Sequence, residues 1–359
     1  MRVMIAPDSF GDTLTAADAA AAIARGWAGV RSGDELELAP QSDGGPGFVE
    51  VLASRIGTIH VADVDGALGT PVQARWLLDG TVAYIESAQA CGLHLVDGPL
   101  TPQSALKANS YGVGQLLSEA LNSGATSIVV GLGGSSCTDG GRAMIRALGG
   151  LGSAIERFSG IDLVAASDVE NPLLGDAGAA RVFGPQKGAD TETVERLEEL
   201  NADWAAVLSA AGHDVADRPG AGAAGGMGAA LFALGGRQVP GAAVVAERTG
   251  QRELLDSVDL VLTGEGKFDS QSLRGKLVTR IAAAGGATGI ETVVLAGQVT
   301  LSKDDLASAG ISAAHSISEF AGSVELAMTD AANQLEKLAA HVASSAVAGP
   351  SNRGGARKE

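Results

Sequence analysis

The stretch IHVADVDGALGTPVQARWLLDGTVAYIES, residues 59–87, decides the architecture, because its apolar residues alternate in short runs separated by turn sequences. Such alternation is typical of antiparallel strands that bury only one sheet face. Upstream, RVMIA (2–6) is a continuous apolar run, and a helical pattern begins at Thr15. That order is typical of strand–helix units in a parallel sheet. The chain therefore contains two different patterns of apolar residues, which predicts two domains.

Strand–helix alternation returns further along the chain, with apolar strands predicted at 127–132, 259–264 and 292–297. We predict an α/β fold: a Rossmann-like, doubly wound parallel sheet domain with an inserted mixed-sheet α/β domain. The predicted Rossmann-like segments are residues 1–46, 106–150 and 242–345, the predicted inserted segments are 47–105 and 151–241, and the predicted disordered tail is 346–359.

The composition excludes several classes of function. The 359 residues include 42 Asp and Glu against 25 Lys and Arg, which gives a net charge of −17. A body this acidic repels nucleic-acid phosphates and anionic lipid, so we expect neither a nucleic acid nor a membrane as partner. Two cysteines, no signal-peptide pattern and no apolar run near the ~18 residues of a membrane span indicate a cytoplasmic protein. The 51 glycines point to tight turns and backbone-lined sites.

Glycine, acid or hydroxyl residues follow each predicted parallel strand. In an open parallel sheet the carboxyl ends of the strands share one edge, where ligands bind. We therefore predict one pocket at that edge. The residues expected around it include Asp8, Asp43, Gly134 and Glu265. Glycine N–H groups approach phosphate oxygens closely, and carboxylates hold Mg²⁺ or accept a hydroxyl proton, so the pattern predicts a site for ATP with Mg²⁺.

The candidate site residues form three groups. Those predicted to act in phosphoryl transfer are Asp8, Ser9, Asp43, Asp168, Asn171 and Lys187. Those predicted to bind the nucleotide are Gly131, Gly133, Gly134, Ser135, Thr138, Asp139, Gly264 and Glu265. Those predicted to bind Mg²⁺ are Glu265 and Asp269. Each also has an ordinary interpretation as a turn residue, a helix cap or a solvated side chain.

Common phosphate-binding templates do not account for the glycines. No G-x-x-x-x-G-K-[ST] sequence is present. Residues 220–225, GAGAAG, match G-x-G-x-x-G, but they follow Pro219 rather than a strand, so no dinucleotide fingerprint is predicted. Gly133, Gly134 and Ser135 are instead expected to form a phosphate loop that leads into a helix.

Eight short motifs lie in a fixed order along residues 1–340: IAPDSF, SDGGPG, GLGGSSCTDGG, SDVENPLLG, FGPQKGA, PGAGAAGGMGA, LTGEGKFDSQSLRGK and LAGQV. In this combination they resemble the bacterial glycerate kinases, the type-1, two-domain family. The resemblance implies ATP-dependent, Mg²⁺-dependent phosphorylation of D-glycerate, with 2-phosphoglycerate the favoured product. It also implies a Rossmann-like domain and a mixed α/β domain around a cleft. A monomer or a homodimer is expected.

Three positions depart from that family's pattern. Its lysine after the first strand is Gly11 here, its glutamate in D-G-G-E-G is Pro46, and its arginine before the middle helix is Gln103. The missing lysine and arginine are two missing contacts to an anion. The resemblance therefore supports the family's fold more firmly than its substrate. Two alternatives stay open: a kinase for another small hydroxy acid, and a non-catalytic nucleotide or metabolite sensor on the same fold.

Overall fold

The computed structural model describes residues 1–11, 13–273 and 277–346. The predicted disordered tail, residues 346–359, lies outside these ranges except for its first residue. The chain divides into two units. The first unit combines residues 1–40 with the chain from residue 251 onward, and the second unit is the continuous segment 41–250.

The first unit begins with a strand–helix–strand segment: β1 (Arg2–Pro7), α1 (Ala16–Val30) and β2 (Glu35–Leu38). β1 is apolar and almost fully buried, as a strand covered on both faces must be. α1 starts where its capping residue predicts, since Thr15 Oγ1 accepts the backbone N–H of Asp18 at 3.1 Å.

The second unit follows, and every one of its residues is described. Its helices and strands are α2 (Phe48–Ala53), β3 (Thr58–Asp65), β4 (Pro71–Asp79), β5 (Val82–Glu86), α3 (Ala88–Cys91), α4 (Pro102–Lys107), α5 (Tyr111–Asn122), β6 (Ser127–Gly131), α6 (Arg142–Ala147), α7 (Leu151–Phe158), β7 (Asp162–Ala166), α8 (Ala179–Phe183), α9 (Thr191–Ala210), α10 (Ala223–Ala233), β8 (Arg237–Val239) and α11 (Gly241–Arg248). Two short 3₁₀ helices lie at Leu93–Leu95 and Pro185–Lys187.

The chain then returns to the first unit. Its remaining helices and strands are α12 (Gln251–Leu255), β9 (Leu260–Gly264), β10 (Lys267–Phe268), α13 (Leu277–Ala287), β11 (Glu291–Ala296), β12 (Gln298–Val299), α14 (Lys303–Ser308), β13 (Ala313–Ser316), α15 (Ile317–Ala321), α16 (Val324–Thr329) and α17 (Ala331–Ser345). Across the described residues of both units, no helix combines the length and the apolar character needed to cross a membrane.

The first unit holds a five-stranded parallel sheet with strand order β13-β11-β9-β1-β2. Successive residues of β11 point to opposite faces. Leu295 belongs to the apolar cluster that contains Leu338 of α17 and Ile23 of α1. Its neighbour Val294 belongs to the cluster that contains Val278 of α13. Helices therefore cover both faces, which confirms the doubly wound domain.

The second unit holds a six-stranded mixed sheet with strand order β3-β4-β5-β6-β7-β8. β3, β4 and β5 are antiparallel and correspond to the meander predicted from residues 59–87. From β5 to β8 the neighbouring strands are parallel. Fully buried residues of α5, α6 and α10, among them Leu116, Met144 and Met227, belong to the core that includes this sheet.

The predicted division into domains is wrong at residues 41–46, 106–150 and 242–250, which all belong to the second unit. β6 pairs with β5 and β7, and with no strand of the first unit. The insertion is therefore one continuous segment instead of two. A continuous apolar run predicts parallel neighbours correctly. Three of the five strand pairs of the mixed sheet are also parallel, so such a run does not show which sheet its strand joins.

Asp34 ties the start of β2 to α1. Its carboxylate accepts hydrogen bonds from Arg31 Nε at 2.6 Å, the Met1 amino group at 2.8 Å and Trp27 Nε1 at 3.0 Å. Burial opposes the charge, but these donors outweigh it and lower the pKa of Asp34 from 3.8 to about 2. The stabilisation is therefore complete above the unfolded-state pKa and is lost as the pH falls through about 2.

We expect Asp34→Asn to lower the free energy of unfolding by about 2 kcal/mol at neutral pH, because one pKa unit corresponds to ~1.4 kcal/mol. The difference from the parent should shrink as the pH falls below about 4. Urea titrations over a pH series measure it. Asp203→Asn changes an exposed acid on α9 and should stay within ~0.5 kcal/mol of the parent. A difference that does not vary with pH would contradict the assignment.

Candidate active site

The loop of residues 41–47 lies directly against the carboxyl ends of β6 and β7 in the second unit. The N–H of Gly133 donates to Gly44 O at 3.0 Å, and a Cβ on Gly133 would collide with Gly45 Cα. A Cβ on Gly44 would lie 2.6 Å from Ala166 O. Side chains do not fit at such distances, so glycine at both positions allows the two backbones to touch.

Asp43 is fixed by this contact, while its side chain is exposed. Asp43 Oδ1 accepts the N–H of Gly45 at 3.0 Å, and a Cβ on Gly241 would collide with Asp43 O. Beside it, Ser42 Oγ accepts the N–H of Gly44 at 3.2 Å. A carboxylate with a fixed backbone and an exposed side chain is suited to accept a proton or hydrogen bond from a substrate hydroxyl.

The predicted phosphate loop, Gly133, Gly134 and Ser135, does not lead into a helix. α6 begins further along the chain and is only six residues long. The N–H of Gly133 is used by Gly44 O, and Gly134 O accepts the N–H of Leu93 at 2.9 Å. The expectation of a helix start here is wrong, because closely spaced glycines mark tight backbone packing as readily as phosphate binding.

Lys187 brings a buried ammonium group to the loop that follows β6. Its Nζ donates to Cys137 O at 2.5 Å and to Ser135 Oγ at 3.2 Å, and the residue is 4% exposed. Burial lowers the pKa of Lys187 below its ordinary value of 10.5. No carboxylate of the described residues forms an ion pair with it. The Asp139 carboxylate favours the charged form of Lys187 from beyond ion-pair distance, and a bound anion would add to that effect.

Asp139 and Thr138, both predicted to bind the nucleotide, lie in the same loop. Asp139 Oδ2 accepts hydrogen bonds from Ser110 N at 3.1 Å, Ser110 Oγ at 2.9 Å and Ala143 N at 3.1 Å. This carboxylate thus joins the starts of α5 and α6. Thr138 is 1% exposed, so its hydroxyl faces the interior. The contacts explain Asp139 as a structural residue.

Asp168 and Asn171 follow β7. Asp168 is exposed and lies two residues beyond Ala166, whose carbonyl group packs against the loop of residues 41–47. The structure thus brings Asp168 to the edge of the six-stranded sheet that also carries that loop. Asn171 supports its own loop, since its Nδ2 donates to Ala177 O at 2.7 Å.

Asp8 and Glu265 are neighbours at the carboxyl edge of the five-stranded sheet in the first unit. β1 and β9 are parallel, with Pro7 opposite Gly264, so each acid directly follows one residue of this pair. The N–H of Asp8 donates to Gly264 O at 2.8 Å, and Asp8 Oδ1 accepts the N–H of Ser9 at 2.7 Å. Two carboxylates at adjacent strand ends provide the oxygen ligands that Mg²⁺ prefers.

Asp269, the other predicted Mg²⁺ ligand, is engaged in a local turn. Its Oδ1 accepts the N–H of Gln271 at 2.8 Å, and its Oδ2 lies 3.3 Å from Lys267 Nζ. These contacts give Asp269 a role in the turn that follows β10. Over the described ranges, no group of three or more His, Cys, Asp or Glu side chains is arranged to hold a metal ion.

The prediction that all the strand ends share one edge is wrong. Asp8 and Glu265 follow strands of the first unit, whereas Asp43 and Gly134 lie at the six-stranded sheet of the second unit. Each of the two pairs is assembled within its own unit. The rule for parallel strands applies to one sheet at a time, and the sequence does not say which strands share a sheet.

Two further contributors were missed by the sequence analysis. Glu86 is a buried acid at the end of β5, opposite Gly131 of β6. The sequence could have indicated it, because an acid ends the otherwise apolar run VAYIE. At the start of α10, Ala224 has a left-handed φ of 51°, and a Cβ on the next residue, Gly225, would collide with Cys137 O. The signal there was the glycine density of PGAGAAGGMGA, which packs against the loop after β6.

We expect Gly133→Ala to lower the free energy of unfolding by about 1–3 kcal/mol, because its Cβ would push the two backbones apart. Chemical denaturation measures the change. Gly152→Ala is the matched control, since Gly152 lies on α7 with open space around its Cβ position. Alanine there should be neutral or slightly stabilising. Equal stabilities for the two variants would contradict the packing described above.

Comparison with known proteins gives a consistent result. A sequence profile of the glycerate kinase family matches residues 3–153 and 150–347. An uncharacterized protein of Mycobacterium tuberculosis is 58% identical over 346 residues, which cover 96% of this chain and 91% of that protein. A glycerate kinase of Halalkalibacterium halodurans is 38% identical, with 95% of this chain and 97% of that protein covered. Glycerate 2-kinase of Escherichia coli is 36% identical, with 99% and 100% covered.

A solved structure supports the same assignment. A crystal structure ascribed to glycerate kinase 2 of Salmonella typhimurium LT2 aligns with a TM-score of 0.75 at 33% identity, covering 96% of this chain and 98% of that one. The fold and the sequence relatives together define an enzyme that transfers a phosphoryl group to an alcohol. The chain belongs to the glycerate kinase family. The predicted fold class and the family resemblance are therefore confirmed.

Proposed function

We propose that this enzyme transfers the γ-phosphoryl group of ATP to D-glycerate and that 2-phosphoglycerate is the product. The observation that carries the proposal is the buried ammonium of Lys187, which is bonded to two neutral oxygens at the loop after β6. The name of the Escherichia coli relative, glycerate 2-kinase, supports the choice of the 2-hydroxyl. The cytoplasmic location and a monomeric or homodimeric state remain predictions from the sequence.

In the proposed reaction the glycerate hydroxyl attacks the γ-phosphorus in line with the departing ADP oxygen. Asp43 or Asp168 orients the hydroxyl and accepts its proton, since both carboxylates are exposed at one edge of the six-stranded sheet. Lys187 offsets the negative charge on the transferred group. A buried, positioned cation is effective here because it needs no reorganisation when charge develops.

The carboxylates of the first unit fit a nucleotide that carries Mg²⁺. Asp8 and Glu265 follow adjacent parallel strands, and Mg²⁺ in kinases is held by one or two carboxylates together with substrate phosphates. When bound, Mg²⁺ neutralises charge on the phosphate oxygens. We assign Asp8 and Glu265 to this role and Ser9, beside Asp8, to contact with the phosphates.

The test is a coupled assay of ADP release with D-glycerate, ATP and Mg²⁺. We expect turnover by the parent and little or none by the double variant Asp43→Asn/Asp168→Asn, which removes both candidate acids. NMR of the product identifies the phosphorylated carbon. Equal rates for the parent and the double variant would reject the proposed catalytic groups, and no turnover by the parent would reject the function.

A second candidate is a kinase for another small hydroxy acid. The observation in its favour is that Gly11 and Gln103, both exposed, replace the lysine and arginine typical of the family. A panel of hydroxy acids in the same assay decides, since a higher kcat/KM for one of them than for glycerate would favour this reading. Thermal stabilisation by ATP without turnover of any acceptor would instead indicate a sensor.

A further inference from the structure

Glu86 holds the C-terminal end of the loop of residues 41–47. Its Oε2 accepts the N–H of Gly47 at 3.1 Å and the N–H of Val49 at 3.2 Å. α2 begins at Phe48, and its capping residue, Gly47, has no side chain to accept a hydrogen bond. Glu86 therefore supplies, from β5, the acceptor that a capping side chain normally provides.

The surroundings of Glu86 oppose the charged form of its side chain. It is 1% exposed, and burial raises the pKa of its carboxyl above 4.5. The N–H groups of Val49 and Gly47 and the Gln89 amide, 3.4 Å from Oε1, act in the opposite direction, whereas Glu50 on α2 adds to the rise. No basic side chain of the described residues forms an ion pair with Glu86. Burial thus opposes the charged form of Glu86, and the two backbone hydrogen bonds that its Oε2 accepts define its geometric role.

Glu86 holds the end of the loop at Gly47, where no close glycine packing fixes the backbone. Gly44 is fixed against β6 and β7, but nothing surrounds the Cβ position of Gly47. Pro46 lies between them and packs on the next loop, so that a Cβ on Gly134 would be 2.7 Å from Pro46 Cγ. Release of the loop end would therefore disturb the turn through Pro46 to Gly45, whose N–H orients the Asp43 carboxylate.

We propose that Glu86 is a positioning residue for phosphoryl transfer: through the N–H groups of Gly47 and Val49 it holds the end of the turn that orients the Asp43 carboxylate. This inference rests on the proposed function, because it takes Asp43 as a group that contacts the substrate. Without the acceptor oxygen, two N–H groups lose their partner and the loop end moves. A shift of about 1 Å at a reacting group lowers the rate ~100-fold.

Kinetics of two substitutions test the role. Glu86→Ala is expected to lower kcat for D-glycerate at least about tenfold, while KM for MgATP changes less than about twofold. Glu86→Gln keeps an oxygen that can accept both N–H groups, so it should recover most of the lost kcat. Ser323→Ala, which removes the cap of α16 in the first unit, controls for the loss of a helix cap and should keep the parent kcat. Parent-like kcat in Glu86→Ala, measured well below its Tm, would overturn the proposal.

Hydrogen exchange separates this inference from the proposed function. In Glu86→Ala the amides of residues 41–53 should exchange at least about tenfold faster than in the parent, and in Glu86→Gln near the parent rate. Unchanged exchange in Glu86→Ala overturns the positioning role, whether or not the parent phosphorylates glycerate. Faster exchange in an enzyme with no turnover would support the hold on the loop and reject the proposed function. If Glu86→Ala does not fold, Glu86→Asp, which shortens the reach to Gly47, takes its place.

Discussion

Lys187→Met is expected to lower kcat by about 100- to 1000-fold. Methionine is similar in length and apolar, so it removes the buried positive charge and largely preserves the packing. The free energy of unfolding should stay within ~1 kcal/mol of the parent, since relief from the cost of burying this charge offsets loss of the hydrogen bonds to Ser135 and Cys137. Steady-state kinetics and denaturation of the same preparation measure the two effects.

The matched control for this prediction is Lys107→Met, because Lys107 is exposed at the end of α4 in the same unit. It should keep the parent kcat. Burial lowers the pKa of Lys187, so the parent should lose activity as the pH rises through a value below 10.5. The residual activity of Lys187→Met should not show that loss. A folded Lys187→Met enzyme with parent kcat would remove this lysine from the mechanism.

Asp43→Asn should lower kcat by about 10²- to 10⁴-fold, the range associated with loss of a positioned proton acceptor. The amide oxygen of asparagine can still accept the N–H of Gly45, so the loop and the stability of the protein should be retained. Steady-state kinetics at saturating ATP and glycerate provide the measurement. Asp63→Asn, at an exposed position on β3, is the control.

The same measurement on Asp168→Asn distinguishes the two candidate acids. If Asp43 accepts the proton, its substitution reduces kcat much more than that of Asp168. The opposite order would transfer the role to Asp168, and parent-like rates for both would show that neither acid takes part.

Local features of the fold were predictable from the sequence. The meander at residues 59–87 alternates with a period of two and has glycine in its turns, and Thr15 lies three residues before the N–H that it caps. The sheet to which β6 belongs was not predictable. Its run of apolar residues fits a parallel neighbour in either unit, and only tertiary packing selects β5 and β7.

The candidate site was predictable in part, for a related reason. Acids directly after strands, such as Asp8 and Glu265, are visible in the sequence and lie together where their strands pair. The structural contacts of Asp139 were not predictable, because its partners on α5 and α6 are brought to it by the fold. A sequence also does not show which charged side chains are buried. For this reason Glu86 was missed, and Lys187 could not be distinguished from a solvated lysine.

The insertion of the second unit between β2 and α12 has a consequence for the order in which the protein forms on the ribosome. β1 leaves the exit tunnel before residues 41–250, and its neighbour β9 is translated only after them. Thr263 Oγ1 of β9 donates to Ala6 O of β1 across 257 positions. Before β9 is translated, β1 can pair only with β2. An apolar strand with one unpaired edge is prone to misfolding and aggregation. The nascent chain can complete the six-stranded sheet while the N-terminal segment waits, and the five-stranded sheet can close only after β9 and the later strands have been translated.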